Sequence, residues 1–201
     1  AYVAPNLAWL ATALRLRWER YQGNLPDRRR AMLCAAQRAA SRAARLAWRF
    51  QNDLPHALRE LGLAAVRQGK TGRGMRLFRR SIAVAQRQGA RYELALSRRA
   101  LWQTAAELGQ EGATRAAEAA AAEVQTLELA AKAAALGDAD AVLRHLTRAG
   151  ATAQIGPYQW VPLLYLVYSR VEQVDPVATA EVLLAAGADP NSGYLWEGLP
   201  T

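Results

Sequence analysis

Few residues of this sequence have the type and spacing that catalysis or metal binding requires. Residues 69–71, Gly-Lys-Thr, match the end of a phosphate-binding loop, but Ala64 stands where such a loop needs its first glycine. His56 and His145 have no cysteine or histidine at ligand spacing, so we expect no zinc site. No serine lies in a nucleophile-elbow context, and no paired carboxylates mark a cleft. The sequence therefore favours a protein that is not an enzyme and that uses no metal or cofactor.

Arginines are the residues whose spacing most favours binding. Four of them recur every three or four residues, which places them on one face of a helix: Arg38, Arg42, Arg45 and Arg49. Four more form a similar row on a later helix: Arg73, Arg76, Arg80 and Arg87. Such faces could bind nucleic-acid phosphates or an acidic protein surface, and the alternative is a solvated helix face. Because no aromatic residue interleaves these arginines, the pattern gives little support to single-strand recognition.

The charge is distributed unevenly between the two halves of the chain. Residues 1–109 hold 21 basic and 6 acidic side chains, whereas residues 110–201 hold 5 basic and 11 acidic ones. Two regions of opposite sign indicate two modules, which could attract each other or different partners. With 52% hydrophobic residues the chain can bury a core, so a disordered protein is not expected.

Nothing in the sequence indicates a membrane or an export signal. It contains no run of about 18 charge-poor apolar residues, and its first residues lack a basic segment that leads into an apolar one. Together with the single cysteine, Cys34, this favours a cytoplasmic protein with no membrane partner. The missing initiator methionine and the end at Thr201 in the middle of a pattern lead us to expect a segment of a longer protein.

Helical periodicity dominates the first two thirds of the chain. Apolar or Ala-rich patterns predict helices over four stretches: 6–22, 26–50, 91–108 and 112–136. Residues 58–89 predict a hairpin of two helices that turns at residues 69–71. Its seam combines small residues, which let two helix backbones approach, with large ones that fill the space between them: Gly62, Ala65, Gly74, Ser81, Leu61 and Phe78.

The hairpin pattern recurs along the chain. Leu61-Gly62 with Gly69 is matched forty residues later by Leu101-Trp102 with Gly109, a period typical of an α-solenoid. With this period and these seam residues, residues 1 to about 110 resemble tetratricopeptide repeats. We expect them to belong to a basic module that extends over residues 1–125. The resemblance implies a concave groove for a protein or peptide, with these candidate residues: His56, Arg59, Leu63, Arg99 and Gln103. The guanidinium groups of Arg59 and Arg99 would pair with the carboxylates of an acidic peptide. The alternative is that intramolecular packing occupies these positions.

From residue 126 the sequence follows a different repeat. Residues 182–191, Val-Leu-Leu-Ala-Ala-Gly-Ala-Asp-Pro-Asn, resemble the end of an ankyrin repeat, and residues 160–165 resemble its helix-opening motif. The resemblance implies ankyrin-like helical repeats over residues 126–201, in an acidic module truncated at its C-terminal end. Aromatic residues recur 36 residues apart in the segments that match ankyrin fingers: Tyr158, Trp160, Tyr194 and Trp196. They could anchor a protein interface, or each ring could pack on the adjacent finger.

These patterns predict an all-α protein: an α-solenoid of stacked, tetratricopeptide-like helical hairpins followed by ankyrin-like helical repeats. The function they favour is a non-catalytic protein-protein interaction scaffold, as a segment of a larger bacterial regulatory or signalling protein. The alternative is a nucleic-acid-associated protein that uses the basic N-terminal half. The patterns specify neither the partner nor the oligomeric state.

Overall fold

A computed structural model of the chain describes residues 4–48, 51–146, 150–155, 160–192, 195–196 and 199–200. Nine α-helices make up most of this part: α1 (Ala4–Glu19), α2 (Pro26–Ala47), α3 (Leu54–Arg67), α4 (Thr71–Gln88), α5 (Arg91–Glu107), α6 (Ala113–Ala135), α7 (Ala139–His145), α8 (Pro162–Val167) and α9 (Pro176–Ala185). A 3-10 turn, Gln51–Asp53, precedes α3, and β1 (Leu195–Trp196) pairs antiparallel with β2 (Leu199–Pro200). The predicted all-α class is confirmed, apart from these two short strands. Among the helices described, none has both the length and the apolar character that crossing a membrane requires.

The turns that end α3 and α5 share one geometry, forty residues apart in the sequence. Gly69 and Gly109 have φ angles of 75° and 72°, a left-handed backbone that glycine adopts without steric cost. In each turn the glycine N–H donates to the carbonyl three residues before it, and the next N–H donates to the carbonyl five residues before it, at 2.9 to 3.0 Å. These paired bonds satisfy carbonyls that a helix end would otherwise leave without donors. The tripeptide Gly-Lys-Thr at 69–71 therefore belongs to a helix end and the start of α4.

The predicted seam between α3 and α4 is confirmed by how closely the two helices approach. A Cβ atom built at Gly62 would overlap the ring of Phe78, a side chain that is fully buried. A Cβ atom built at Gly74 would overlap the side chain of Val66 and lie 2.9 Å from the carbonyl oxygen of Gly62. Because backbone cannot yield as a flexible side chain does, only glycine fits at position 74 without a shift of the helices.

We expect Gly74→Ala to lower the free energy of unfolding by about 1–3 kcal/mol, because the added methyl group overpacks the seam. Gly72→Ala, two residues earlier in α4, is the matched control, since a Cβ atom there meets nothing within 4 Å. Alanine forms helix better than glycine, so this control should raise the stability by up to about 1 kcal/mol. Urea unfolding of both variants measures the contrast, and equal effects at the two positions would contradict the close approach.

The contacts divide the chain into two compact units, residues 1–88 with 96–118 and residues 89–95 with 119–201. In the first unit α1 packs on α2, α2 on α3, and α3 on α4. Its core is rich in alanine, whose small side chain allows the helices to lie close together: Ala8, Ala11, Ala39, Ala40, Ala43, Ala47 and Ala57. The module boundary predicted at residue 125 falls within α6 and remains a prediction.

Polar side chains connect successive helices of the first unit. Ser81 of α4 donates its hydroxyl to the carbonyl of Pro55 at 2.7 Å, and Ser97 of α5 lies 2.7 Å from Ser81. The carbonyl can only accept, so the hydroxyl of Ser97 is the donor to Ser81. Both serines are fully buried, and each hydroxyl proton has a partner. This chain of bonds fixes α5 against α3 and α4.

The second unit has its own core, in which α7 and α8 pack on α9. Buried apolar side chains from these helices, from the end of α6 and from the segments after α7 and α9 meet there: Ala133, Ala134, Val142, Ala151, Leu166, Leu183 and Ala188. Asp138 and Asp175 accept hydrogen bonds from the first-turn N–H groups of α7 and α9, which caps both helices. The segment between α8 and α9 is held in place because the Val174 N–H donates to the Leu136 carbonyl at 3.0 Å.

Candidate binding surfaces

A cluster of charged and polar side chains lies in the interior of the first unit, at the start of α3. His56, Arg59 and Glu60 are only 3, 6 and 3% exposed. Every residue of α3 from Leu54 to Gly62 is buried, so this stretch presents no open face. His56 and Arg59 were predicted to line a groove, and the structure instead places both inside the protein, where the sequence allowed for intramolecular packing. Their role in a groove remains a prediction, because neither side chain is exposed to a partner in this structure.

The strongest contact of this cluster joins α1 to α3. The guanidinium of Arg15 donates two bonds to the carboxylate of Glu60, from Nε to Oε2 at 2.7 Å and from Nη2 to Oε1 at 3.1 Å. Its Nη1 donates to Glu19, one turn later in α1, at 3.0 Å. Arg15 is 12% exposed, so the pair is largely removed from water. Such paired bonds fix orientation as well as charge, because the planar guanidinium matches the carboxylate.

The attraction between Arg15 and Glu60 shifts the pKa values of both groups. Burial alone would raise the pKa of Glu60, but the hydrogen bonds and charge of Arg15, together with the charge of Arg59, hold that pKa below its ordinary value. Burial would likewise lower the pKa of Arg15, and Glu60 and Glu19 outweigh this effect and raise it. Both groups are therefore ionised at neutral pH, as a buried ion pair.

His56 occupies the interior as a neutral imidazole. Its Nε2 lies 2.8 Å from the hydroxyl of Thr12, which is also 3.3 Å from the carbonyl of Ala8. The ring of Trp9 packs edge-on against the imidazole, with centroids 4.7 Å apart. Burial, with the nearby charge of Arg59, lowers the pKa of His56 to about 3. These contacts hold the neutral ring against α1.

The other groove candidates lie nearer to solvent. Leu63 is half-buried and packs against the core around Phe78. Arg99 is half-buried on α5, and Gln103, one turn later on the same helix, is exposed. Of the five predicted groove residues, these last two offer polar groups that a partner could reach.

A row of ion pairs links the C-terminal ends of three helices in the first unit. Arg67, at the end of α3, lies 3.6 Å from Glu19 at the end of α1 and 3.8 Å from Glu107 at the end of α5. These three side chains are partly exposed, so each pair contributes little to stability. They show that the C-terminal ends of α1, α3 and α5 lie close together.

The basic row predicted on α2 faces solvent. Arg38, Arg42 and Arg45 are exposed, whereas the opposite side of α2 is buried. Arg49 lies outside the described residues. The three arginines line a shallow, open depression together with Cys34, Gln37 and Ser41.

A second basic row lies on the neighbouring helix. Arg73, Arg76, Arg80 and Arg87 of α4 are all exposed, and α4 contains no acidic residue. Side chains from α2 and α4 meet two from α3 in one cluster: Ala47, Leu54, Leu58, Leu77 and Val84. We call the exposed arginines at positions 38, 42, 45, 73, 76 and 80 the basic face.

Trp48 lies next to the basic face, so the sequence-based statement that no aromatic residue interleaves these arginines was wrong. Its side chain is 63% exposed, and the guanidinium carbon of Arg80 lies 5.2 Å from its ring centroid. Two similar pairs occur near the start of α2, where Arg29 stacks on Trp18 and Arg28 lies over Tyr21. The sequence could have indicated Trp48, which follows Arg45 by three residues and comes directly after α2, but its contact with α4 depends on tertiary packing.

The aromatic candidates of the second unit are described only in part. Trp160 is half-buried and packs against Tyr165 and Tyr168, with ring centroids 5.6 and 5.3 Å apart. Its carbonyl accepts the N–H of Ile155 at 2.9 Å. Tyr158 and Tyr194 lie outside the described residues, and for Trp196 the structure describes the backbone, which pairs in β1.

Near these aromatic rings the structure shows exposed apolar side chains that the sequence patterns did not indicate. Val167, Val174 and Val177 are 65, 80 and 69% exposed, and Tyr168 and Val171 are also exposed. They lie at the end of α8, in the segment that follows and at the start of α9. Exposed apolar side chains grouped in this way are common where proteins bind one another.

No cluster of three or more histidine, cysteine, aspartate or glutamate side chains suited to a metal ion occurs in the described part of the chain. Comparison of the whole chain with protein-family models, with curated proteins and with solved structures gives no match.

Proposed function

We propose that this chain is a non-catalytic protein-protein interaction scaffold, built as a solenoid of stacked helical hairpins. The row from Glu19 through Arg67 to Glu107 carries this proposal, because it brings the C-terminal ends of α1, α3 and α5 together, as we expect if they are the first helices of three successive hairpins. In this proposal α2 and α4 are the second helices of the first two hairpins, and both contribute side chains to one apolar cluster with α3. A layer of first helices beside a layer of second helices is the arrangement of tetratricopeptide-like repeats.

The helix ends at Gly69 and Gly109 share one turn geometry and agree with a repeat of forty residues, although Gly137 and Gly187 close α6 and α9 in the same way. For residues 126–201 we propose ankyrin-like repeats, supported by short helices that pack on one another in a common core. A cytoplasmic location, a bacterial origin and membership of a larger regulatory or signalling protein belong to this proposal and rest on the sequence patterns.

The partner we propose is a peptide segment with acidic side chains, bound at α5. Arg99 and Gln103 lie one turn apart, so both can contact the same extended peptide. A guanidinium binds a carboxylate through two parallel hydrogen bonds, and the amide of glutamine can bond to the peptide backbone. Among the described residues neither side chain makes an ion pair or a hydrogen bond, so no intramolecular bond has to break for binding.

Selection from a displayed library of random peptides tests this proposal with a defined probe. We expect enriched sequences to carry Asp or Glu, and Arg99→Ala with Gln103→Ala to weaken a selected peptide by about tenfold or more, as for a lost charge-assisted hydrogen bond. Arg98→Ala is the matched control, since this arginine is the neighbour on the same helix and is also half-buried. Isothermal titration of purified proteins measures the affinities.

The outcomes separate the site from the function. Binding could be lost when Val171, Val174 and Val177 are replaced by serine and be unaffected by Arg99→Ala. The scaffold function would then stand, but its binding surface would lie in the second unit. A library that yields no saturable binder, or binders that ignore both sets of substitutions, would contradict the proposal.

A further inference from the structure

The basic face is unusual in composition as well as in charge. Its six arginines project from α2 and α4, and α4 has no acidic residue while α2 has one, Asp27, in its first turn. Within the described ranges, none of Arg38, Arg42 or Arg45 is in ion-pair contact with a carboxylate. The protein therefore holds together a group of like charges that repel one another and that a polyanion would neutralise.

The chemistry of this face distinguishes between possible polyanions. A protein interface is expected to have an apolar centre surrounded by polar groups. Between the two arginine rows the exposed ring that the structure describes is Trp48, and it is already in contact with Arg80. Rows of guanidinium groups beside an exposed indole match a different ligand, in which phosphates alternate with bases whose faces stack on aromatic rings.

We propose that the basic face binds single-stranded nucleic acid, with Arg38, Arg42, Arg45, Arg73, Arg76 and Arg80 contacting phosphates and Trp48 stacking on an unpaired base. The guanidinium of Arg80 lies beside the indole, which places a phosphate-binding group next to the stacking surface. Contacts of this kind read no base edges, so binding tolerates different sequences. This surface is separate from Arg99 and Gln103, and the inference does not depend on the peptide proposal.

Fluorescence anisotropy with the intact chain and a labelled oligothymidine of about 15 nucleotides tests the inference. We expect saturable binding at about 50 mM salt that weakens steeply towards about 200 mM salt, because neutralised phosphates release counterions. Replacing Arg38, Arg42 and Arg45 by glutamate should abolish binding at the higher salt concentration. Replacing each by alanine should reduce the slope of log K against log salt by about 2, at about 0.7 per lost phosphate contact.

A charge-matched variant controls for non-specific attraction. Arg115, Arg144 and Arg170 are also exposed, and replacing all three by glutamate makes the same change in net charge away from the basic face. We expect this variant to keep affinity within about threefold of the unmodified chain, as for substitutions that remove no direct contact. An equal loss in both triple variants would overturn the proposed site.

Substitutions of Trp48 test the stacking contact separately from charge. Trp48→Ala should weaken oligothymidine binding by about tenfold, whereas Trp48→Phe should restore most of it, since a phenyl ring also stacks on bases. Trp102→Ala is the control, because Trp102 is an exposed tryptophan on α5. Circular dichroism checks that all variants remain folded. If a duplex binds as tightly as the single strand whether or not Trp48 is present, the inference is overturned in favour of a duplex ligand. If polyglutamate competes more strongly than the oligonucleotide, it is overturned in favour of an acidic protein.

Discussion

Arg15→Met is expected to lower the free energy of unfolding by about 3–5 kcal/mol, the range found when one partner of a buried ion pair is removed. The reason is that Glu60 is 3% exposed and would keep a negative charge in the interior without its two hydrogen bonds from Arg15. Methionine has a similar length to the aliphatic part of arginine, so the packing of α1 on α3 changes little. Chemical unfolding followed by circular dichroism measures the loss.

A second substitution distinguishes lost charge from lost packing. Arg15→Met combined with Glu60→Met should recover most of the stability, because the buried charge is removed along with its partner. Arg17→Met is the matched control on the same helix, since Arg17 is exposed. A cost below about 1 kcal/mol for Arg15→Met, typical of a surface salt bridge, would contradict the buried pair, as would a double variant no more stable than the single one.

Acidification from about pH 6.5 to about pH 5 should cost the protein about 2 kcal/mol through His56 alone. The folded-state pKa of His56, about 3, lies below its value of 6.5 in the unfolded chain, so the unfolded state binds a proton over this range and the folded state does not. The stabilisation is thus fully present above about pH 6.5 and is lost as the pH falls towards 3. Each pH unit within this window corresponds to about 1.4 kcal/mol.

The comparison variant for this prediction is His56→Gln, which keeps a polar partner for Thr12 but has no titratable ring. Its stability should fall less between about pH 6.5 and about pH 5 than that of the unmodified protein, by about 2 kcal/mol. Glu60 interferes little, because the stabilisation from its lowered pKa is present above the ordinary carboxylate pKa of 4.5 and is lost as the pH falls from there towards the folded-state pKa, below this window. Parallel loss of stability in both proteins, or an imidazole NMR signal of His56 that titrates near pH 6.5, would contradict the neutral buried ring.

Much of the helical fold could be predicted because it depends on local pattern. Apolar spacing located α2 to α6 to within a few residues, and Gly69 and Gly109 marked helix ends because left-handed backbone there favours glycine. The seam between α3 and α4 was also predictable, since small residues such as Gly62 and Gly74 lie on both sides of the turn at residues 69–71. The two strands after α9 were not predicted, because two-residue pairings leave no periodic signal.

The interior of the first unit could not be predicted in the same way. Arg15 and Glu60 lie 45 residues apart, and helical periodicity reports only neighbours three or four residues away. The same limit applies to His56 and Arg59, which a repeat pattern places on a groove and which the structure buries. For the basic face, periodicity placed Arg38, Arg42 and Arg45 on the solvent side of α2, but the contact of Trp48 with Arg80 required the packing of α2 beside α4.

Chemical-shift mapping of the labelled chain with a selected acidic peptide is the most direct test of the proposed scaffold. The proposal predicts saturable amide shifts centred on α5 around Arg99 and Gln103, at stoichiometric peptide and without shifts along the basic face. A chain whose spectrum is unchanged by every selected peptide, or that responds only with uniform, salt-sensitive shifts across its arginines, would contradict it.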